Sequence, residues 1–326
     1  MKKICVMHRA SIGDTLLATP IYKAIKTVYP NAKLIVITSR LGYELLCGNP
    51  YIDTLIAYEK GYSILPLVKA IWRADVALIF DHHYRNALYA FLAMIPKRVG
   101  RGKNFINCRL SDRNELEYEP LKYLHIAQQI GVNMIDFKLQ RPVATVDEKQ
   151  RVHQLVSQLK DHFEQKMVTI VPYSLASKKD WSAENYREII RRLKGRGILP
   201  VILGGRDNQE QVTNDFPEAI NMAGKTNLRE SAELISLADL QLCGCTAMLH
   251  VCSTTDTPVI AMYGPTAPEQ WAPRENCVVI SHKFPCSPCY NNGSKPCDDN
   301  KCIQAITVDE VWTEMEKYLD GEKHEG

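Results

Sequence analysis

The sequence lacks any long hydrophobic segment. Its longest uninterrupted apolar run covers nine residues, 87–95, whereas a helix that spans a bilayer needs roughly 20. Near the N-terminus, only residues 4–7 form an apolar stretch between basic residues, which is shorter than the apolar core of a signal peptide. We therefore expect no transmembrane segment and a cytoplasmic location.

A strong excess of charge of one sign is also lacking. Lys and Arg number 40 against 37 Asp and Glu, which gives a formal net charge of +3. This balance excludes nucleic acid as the default partner and leaves room for an anionic ligand in one local pocket. With 326 residues, 45% of them hydrophobic and 24% charged, the composition is typical of a globular chain with two domains.

Short apolar runs followed by helical periodicity recur along the chain. The predicted strands are residues 4–7, 34–38, 54–57 and 76–80 in the first half, and 168–171, 199–203, 239–243 and 258–262 in the second. This alternation is typical of parallel α/β sheets. It predicts two α/β domains, 1–160 and 161–326, that face a central cleft at the carboxyl ends of their strands.

The first strand-to-helix loop carries a candidate catalytic carboxylate. Ser11, Gly13 and Asp14 follow the strand at 4–7, and Gly13 permits the tight turn that places Asp14 at the mouth of the cleft. A carboxylate there serves either as a general base or as the N-cap of the next helix. Asp81 follows the fourth strand and is a candidate to line the acceptor side.

Candidate groups for a phosphate and a ribose lie in the second half. A helix is predicted to begin near Thr246, and the free amides of a helix N-terminus favour an anion. Asp207 and Glu210 follow the strand at 199–203, where their carboxylates are candidates to bind ribose hydroxyls. The alternative for both carboxylates is a solvated helix start.

Four of the eleven cysteines form a C-x2-C-x7-C-x4-C pattern, namely Cys286, Cys289, Cys297 and Cys302. In a chain of this length without a signal peptide, thiols and metal ligation are favoured over disulfides. Four thiolates complete a tetrahedron around zinc or iron and leave no open position. We expect a structural metal that folds the loop 283–303, and the alternative is four cysteines without metal.

Several short motifs together resemble one known family over nearly the whole chain. They are residues 11–14 (S-I-G-D), 18–20 (A-T-P), 179–181 (K-D-W), 203–205 (L-G-G), 223–228 (A-G-K-T-N-L), 246–250 (T-A-M-L-H) and 263–266 (Y-G-P-T). In this order they resemble glycosyltransferase family 9, the heptosyltransferases of lipopolysaccharide assembly. The resemblance implies two Rossmann-like domains in the GT-B arrangement, a nucleotide-activated sugar and inversion of the anomeric centre.

The resemblance also implies roles for individual residues. Asp14 would deprotonate the acceptor hydroxyl. Lys179 would stabilise the departing diphosphate in place of a divalent ion, because the sequence has no Asp-x-Asp motif.

The donor motif departs from the family in two places. Thr246 and His250 match it, whereas Cys245 stands where the family has an acidic residue and Ala247 where it has glycine. Both changes alter side chains only, so the backbone amides of Thr246 and Ala247 are retained. The sequence therefore still predicts phosphate binding there.

The expected function is that of an inverting heptosyltransferase using ADP-heptose. Domain 1–160 would bind the acceptor, either a lipopolysaccharide core glycan or a protein side chain. Peripheral contact of the protein with the inner membrane face is compatible with this expectation. Domain 161–326 would bind the nucleotide-sugar. The alternatives are a sugar-nucleotide epimerase of the same fold, a nucleotide-sugar-binding or assembly protein without turnover, and a zinc module for nucleic acid. Asp14 and Lys179 favour turnover, and the low net charge argues against nucleic acid.

Overall fold

The protein consists of two α/β units. The structure, a computed structural model, describes residues 1–111, 116–133, 136–162, 164–289 and 299–321. The first unit is Met1–Val143 and the second is Ala144–Gly326.

The first unit alternates strands and helices around one parallel sheet. Its strands are β1 (Lys3–His8), β2 (Lys33–Thr38), β3 (Thr54–Ala57), β4 (Val76–Ile79), β5 (Lys97–Gly100) and β6 (Cys108–Arg109). Its helices are α1 (Ile12–Leu17), α2 (Thr19–Val28), α3 (Arg40–Leu46), α4 (Ile64–Ile71), α5 (Tyr84–Leu92) and α6 (Glu119–Gln128). The six strands are ordered β3-β2-β1-β4-β5-β6, and every neighbouring pair is parallel.

The second unit repeats this plan. Its strands are β7 (Met167–Val171), β8 (Leu199–Ile202), β9 (Ile220–Asn221), β10 (Leu240–Gly244), β11 (Val259–Tyr263) and β12 (Cys277–Ser281). Its α-helices are α7 (Val146–Leu159), α8 (Ala183–Gly195), α9 (Gln209–Asp215), α10 (Leu228–Ser236), α11 (Ala247–Cys252), α12 (Pro268–Trp271), α13 (Lys301–Gln304) and α14 (Val308–Leu319). Two short 3-10 helices, Ser177–Lys179 and Arg206–Asn208, follow β7 and β8. The parallel order β12-β11-β10-β7-β8-β9 is the doubly wound order of the first sheet.

Burial explains why the central strands form. Strands β4, β7 and β11 are buried at every position, because helices cover both faces of a parallel sheet and leave no polar side. Helix α8 presents the buried residues Tyr186, Ile189, Ile190 and Leu193 at the spacing of one helical face. The prediction of two parallel α/β sheets is therefore confirmed, and all eight predicted strands are present within one residue at either end.

Helix α7 opens the second unit. The sequence pattern placed the boundary after residue 160, whereas the structure divides the chain after Val143. The carboxylate of Glu148 accepts hydrogen bonds from Arg229 of α10, with an Nη2–Oε1 distance of 2.7 Å, and from Asn227 at 2.8 Å. Because these partners lie in the second unit, α7 packs on that unit, whereas the predicted boundary assigned it to the first domain.

Membrane-spanning helices are not found in the described ranges, because no helix there combines sufficient length with sufficient apolar character.

The ion pair between Glu148 and Arg229 gives a testable contribution to stability. Hydrogen bonds from Arg229 lower the pKa of Glu148 to about 2, so the contribution is present above the ordinary pKa of 4.5 and is lost as the pH falls toward about 2. Glu148→Gln is expected to lower the free energy of unfolding by about 1–3 kcal/mol near neutral pH, and by less in acid. Urea denaturation at both pH values measures the difference.

Glu184→Gln is the control, because Glu184 forms an exposed pair with Arg187 in α8, and such pairs contribute little. Equal losses of stability in the two variants would contradict the role given to Glu148.

Candidate active site

In the first unit, the predicted site residues lie at one edge of the sheet. The strand order reverses between β1 and β4, and doubly wound sheets bind ligands at the carboxyl edge of such a reversal. Ser11, Gly13 and Asp14 follow β1, and Asp81 follows β4. The backbone N–H of Arg9 donates to Asp81 Oδ2 at 3.0 Å, so the two loops are joined at the reversal.

Asp14 lies in the first turn of α1. Ser11 is the N-cap of this helix, and its Oγ accepts from the N–H of Asp14 at 3.4 Å. The Ser11 hydroxyl also donates to Asp14 Oδ2 at 2.6 Å. The alternative in which Asp14 is itself the N-cap is therefore wrong, and the half-buried Asp14 carboxylate is oriented by the true N-cap.

Burial raises the pKa of Asp14 above its ordinary value of 3.8. The hydrogen bond from Ser11 acts in the opposite direction, and the negative charge of Glu119 adds to the increase. A carboxylate with a raised pKa is a stronger base while ionised, which suits proton abstraction. Glu119, the first residue of α6, was missed in the sequence because no local pattern links it to Asp14.

Aromatic side chains surround the last residue of β1. His8 is buried, with its ring centroid 5.7 Å from that of Phe80 and 4.9 Å from that of Tyr123. Phe80 and Tyr123 stack on each other at 4.9 Å. Burial lowers the pKa of His8 to about 3, so its imidazole is neutral near physiological pH. The cluster fixes the end of β1, from which the loop to Asp14 departs.

Asp81 joins the two loops of this edge. Besides the N–H of Arg9, its carboxylate accepts from the N–H of His83 at 3.0 Å and from Asn86 Nδ2 at 2.6 Å. Burial raises the pKa of Asp81, and the hydrogen bond from Arg9 opposes this increase. These contacts engage both carboxylate oxygens and hold the loop after β1 in place.

In the second unit, Lys179 connects the corresponding pair of loops. The strand order reverses between β7 and β10. Lys179 ends the 3-10 helix after β7, and its Nζ donates to the carbonyl of Cys245, directly after β10, at 3.1 Å. A cation is thereby held at the reversal of this sheet.

Thr246, Ala247 and His250 belong to the start of α11. Thr246 is the N-cap, but its hydroxyl makes no capping hydrogen bond. His250 is 4% exposed, and burial together with the charge of Lys179 lowers its pKa to about 4. The structure therefore brings Lys179, Thr246 and His250 together, with the histidine neutral.

Buried polar atoms mark the same edge. Thr246 Oγ1, His250 Nδ1, Thr266 Oγ1 and Trp271 Nε1 are buried without a hydrogen-bond partner among the residues that the structure describes. The His250 and Trp271 rings lie 6.3 Å apart. Unpartnered buried polar atoms are rare in folded proteins and often mark functional groups. The sequence predicts no individual role for Trp271 or for Thr266, which ends the Y-G-P-T motif.

Asp207 and Glu210 lie apart from this group. They follow β8, a neighbour of β7, and both are exposed. In the described parts of the chain, neither carboxylate forms a hydrogen bond or an ion pair. The structure thus places them at the same edge of the sheet without bringing them to Lys179.

The four predicted metal ligands are only partly described. Cys286 is exposed, Cys289 and Cys302 are buried, and Cys297 lies outside the described residues. Within the ranges that are described, no three His, Cys, Asp or Glu side chains form a group that could hold a metal ion. Since one of its four ligands lies outside the described residues, the four-cysteine site stays a prediction.

The segments that carry Cys286, Cys289 and Cys302 pack against the candidate site. We call residues 284–289 and 300–306 the C-terminal brace. The Ser287 hydroxyl donates to the carbonyl of Gly264, and the N–H of Cys289 donates to the carbonyl of Pro265 at 3.0 Å. Gln304 Nε2 donates to the carbonyl of Asp180, next to Lys179, at 3.1 Å. The brace thus contacts both the loop after β7 and the loop after β11.

Gly264 leaves the space that one of these contacts needs. A Cβ at position 264 would lie 2.7 Å from the Cβ of Ile303, closer than carbon atoms can approach. The absence of a side chain at Gly264 therefore lets α13 pack directly on the loop after β11.

Comparison with known proteins identifies relatives over most of the chain. The lipopolysaccharide core heptosyltransferase OpsX of Haemophilus influenzae is 27% identical over 297 residues, which covers 84% of this chain and 82% of that protein.

Solved structures share the fold across both units. A family 9 glycosyl transferase from Veillonella parvula aligns with a TM-score of 0.84 and 18% identity, covering 98% of this chain and 97% of that one. Escherichia coli ADP-heptose lipopolysaccharide heptosyltransferase II aligns with a TM-score of 0.79 and 23% identity, covering 99% of each chain. The dodecameric iron-containing glycosyltransferase TibC of enterotoxigenic E. coli aligns with a TM-score of 0.66 and 15% identity, covering 99% of this chain and 77% of that one.

The family itself is established by its sequence model. The model of glycosyltransferase family 9 (heptosyltransferase) matches residues 64–297, which is more than half of the chain and includes the Lys179 loop, α11 and the Y-G-P-T motif. The resemblance inferred from the motifs is thereby confirmed, and the chain belongs to glycosyltransferase family 9, the heptosyltransferase family.

Proposed function

We propose that this chain is an inverting heptosyltransferase that moves heptose from ADP-heptose to a hydroxyl of a lipopolysaccharide core glycan. Family membership and the names of the similar proteins support this donor and this acceptor. In the proposal, the first unit binds the acceptor and the second binds the nucleotide-sugar.

The observation that carries the proposal is the position of Asp14. Its carboxylate lies at the reversal of the first sheet, is oriented by Ser11 and has a raised pKa. Asp14 accepts the proton of the acceptor hydroxyl as the oxygen attacks the anomeric carbon of heptose. The bond from that carbon to the diphosphate breaks on the opposite face, so the configuration inverts and ADP departs.

Lys179 offsets the charge that develops on the departing diphosphate. Fixed donors at such a position stabilise the transition state because they need no reorganisation. The Thr246 hydroxyl and the N–H of Ala247 supply further hydrogen bonds to phosphate. His250 is neutral and acts as a hydrogen-bonding group, because a pKa of about 4 leaves it no proton to give as an imidazolium acid.

Three further features concern the donor site. Asp207 and Glu210 are proposed to accept hydrogen bonds from the ribose hydroxyls, which their exposure permits. Thr266 and Trp271 are added to the donor residues because their buried polar atoms lack partners within the described residues. Cys245, in place of the family's acidic residue, contributes its carbonyl to Lys179.

Family membership favours glycosyl transfer over the epimerase alternative. Two alternatives to the proposal remain. The acceptor could be a protein side chain, or the chain could bind the donor without turning it over. Measurement of turnover by the wild type tests the second alternative.

We also propose a structural zinc or iron ion at Cys286, Cys289, Cys297 and Cys302. The thiol spacing supports it, because C-x2-C pairs bind one ion from a single turn. The ion would add binding free energy to the folding of the C-terminal brace, and no catalytic step depends on it.

Asp14→Asn tests the proposed base. Turnover of ADP-heptose is expected to fall by about 10²–10⁴, with donor affinity nearly unchanged. In the wild type, kcat/KM should fall as the pH drops through the pKa of Asp14, at a pH above 3.8. Asp147→Asn, which changes an exposed aspartate in the first turn of α7, is the matched control. Wild-type turnover by Asp14→Asn would exclude Asp14 as the base.

Lys179→Ala tests the phosphate site. The loss of a charge-assisted contact is expected to weaken ADP binding about 10- to 100-fold, as measured by calorimetry. Lys178→Ala removes the neighbouring lysine of the same 3-10 helix and should bind ADP like the wild type. If both variants bind ADP equally well, the diphosphate lies elsewhere.

Elemental analysis of protein never exposed to chelator tests the metal. About one equivalent of zinc plus iron is expected, and less than about a tenth of an equivalent would refute the site. Serine at any of the four cysteines should lower the metal content, whereas Cys47→Ser and Cys108→Ser should leave it unchanged.

A further inference from the structure

An exposed apolar surface lies at the carboxyl edge of the first sheet. It consists of residues 60–66, from the loop after β3 into the first turn of α4, and residues 82–85, from the loop after β4 into the first turn of α5. We call it the 60–66/82–85 surface. Leu65 is 75% exposed, Tyr62 is 53% exposed and Tyr84 is 54% exposed. Large apolar side chains clustered in this way usually mark an interaction site.

Tyr58 joins the two segments into one surface. Its ring packs edge-on against Tyr62, with centroids 6.1 Å apart. It also packs edge-on against the ring of Tyr89 in α5, with centroids 5.4 Å apart. Arg85 lies in the first turn of the same helix, with its guanidinium 6.0 Å from the Tyr84 ring centroid. Helices α4 and α5 pack against each other, which keeps the segments side by side.

The charges on this surface are of one sign. Residues 60–66 and 82–85 contain Lys60 and Arg85 but no Asp or Glu. The flanking carboxylates are engaged by backbone donors, Glu59 by the N–H of Arg40 at 2.7 Å and Asp81 by that of Arg9. Although the net charge of the whole chain is small, the 60–66/82–85 surface combines two cationic side chains with apolar side chains.

An apolar recess opens in the same surface. Its volume is about 550 Å³, and it is lined by Ile56, Ala57, Tyr58, Tyr62, Ser63, Pro66 and Leu67. Gly61 has a φ of 97°, in the left-handed region that favours glycine, so the loop turns sharply beside the recess. A flexible apolar chain could enter such a recess.

We propose that the 60–66/82–85 surface binds the surface of a bilayer that contains anionic phospholipid. Leu65, Ile64 and Tyr62 enter the headgroup region, while Lys60 and Arg85 contact lipid phosphates. This combination of apolar and cationic groups is what peripheral membrane segments use.

The surface has a consequence for the acceptor. Because residues 60–66 and 82–85 follow parallel strands, they lie at the same edge of the sheet as Asp14. Binding to a bilayer would bring that edge to a membrane-anchored acceptor. The expectation of peripheral membrane contact thereby gains a defined set of residues, beyond the proposed transfer reaction.

Sedimentation of the full chain with vesicles tests the proposal. The wild type is expected to bind vesicles of phosphatidylcholine with phosphatidylglycerol, more weakly as salt rises, and to bind pure phosphatidylcholine far less. Leu65→Asp should lower the partition coefficient at least about tenfold. Val146→Asp, at a 79% exposed position of α7, is the matched control. Lys60→Glu should also weaken binding, whereas Lys149→Glu on α7 should not.

Several results would overturn the proposal. They are equal binding to both kinds of vesicle, no binding at all, or wild-type binding by Leu65→Asp. A wild type that is dimeric by light scattering and becomes monomeric in Leu65→Asp would assign the surface to a second copy of the chain instead. Leu65→Asp should have the far-ultraviolet circular dichroism spectrum and the urea unfolding transition of the wild type, which shows that both units of the variant are folded. The vesicle assay contains no sugar nucleotide, so its outcome is independent of the proposed donor.

Discussion

The order of strands in each sheet determines where this chain can bind a ligand. Between β1 and β4, and again between β7 and β10, successive connections leave the sheet in opposite directions, so two loops border an uncovered carboxyl edge. Hydrogen bonds join the loops in each unit, among them that from Arg9 to Asp81 in the first and that from Lys179 to Cys245 in the second. The candidate base and the candidate phosphate ligands depend on this arrangement.

The two edges differ in their electrostatics. In the first unit, burial and a second carboxylate raise the pKa of Asp14, which suits a group that must accept a proton. In the second unit, the ammonium of Lys179 and several buried hydrogen-bonding atoms lie around the start of α11, which suits a diphosphate. This difference supports the division of labour proposed for the units, with acceptor chemistry in one and nucleotide binding in the other.

Local patterns in the sequence predict the parts of the fold that local physics determines. The central strands were predicted because burial on both faces requires continuous apolar runs, whereas β5 has two basic residues in its four and was missed. Asp14 and Lys179 were found through motifs within single loops. Glu119 and Trp271 were not, because their neighbours at the site come from distant segments. For the same reason the predicted boundary assigned α7 to the first domain, since its partner Arg229 lies in α10.

Hydrogen exchange with and without ADP tests most directly the claim that the reversal in the second sheet binds the donor diphosphate. ADP is expected to slow exchange of backbone amides in residues 174–180 and 245–250 and to leave exchange in the loops after β1 and β4 unchanged. Protection confined to the first unit, or no protection in either loop of the second, would contradict it.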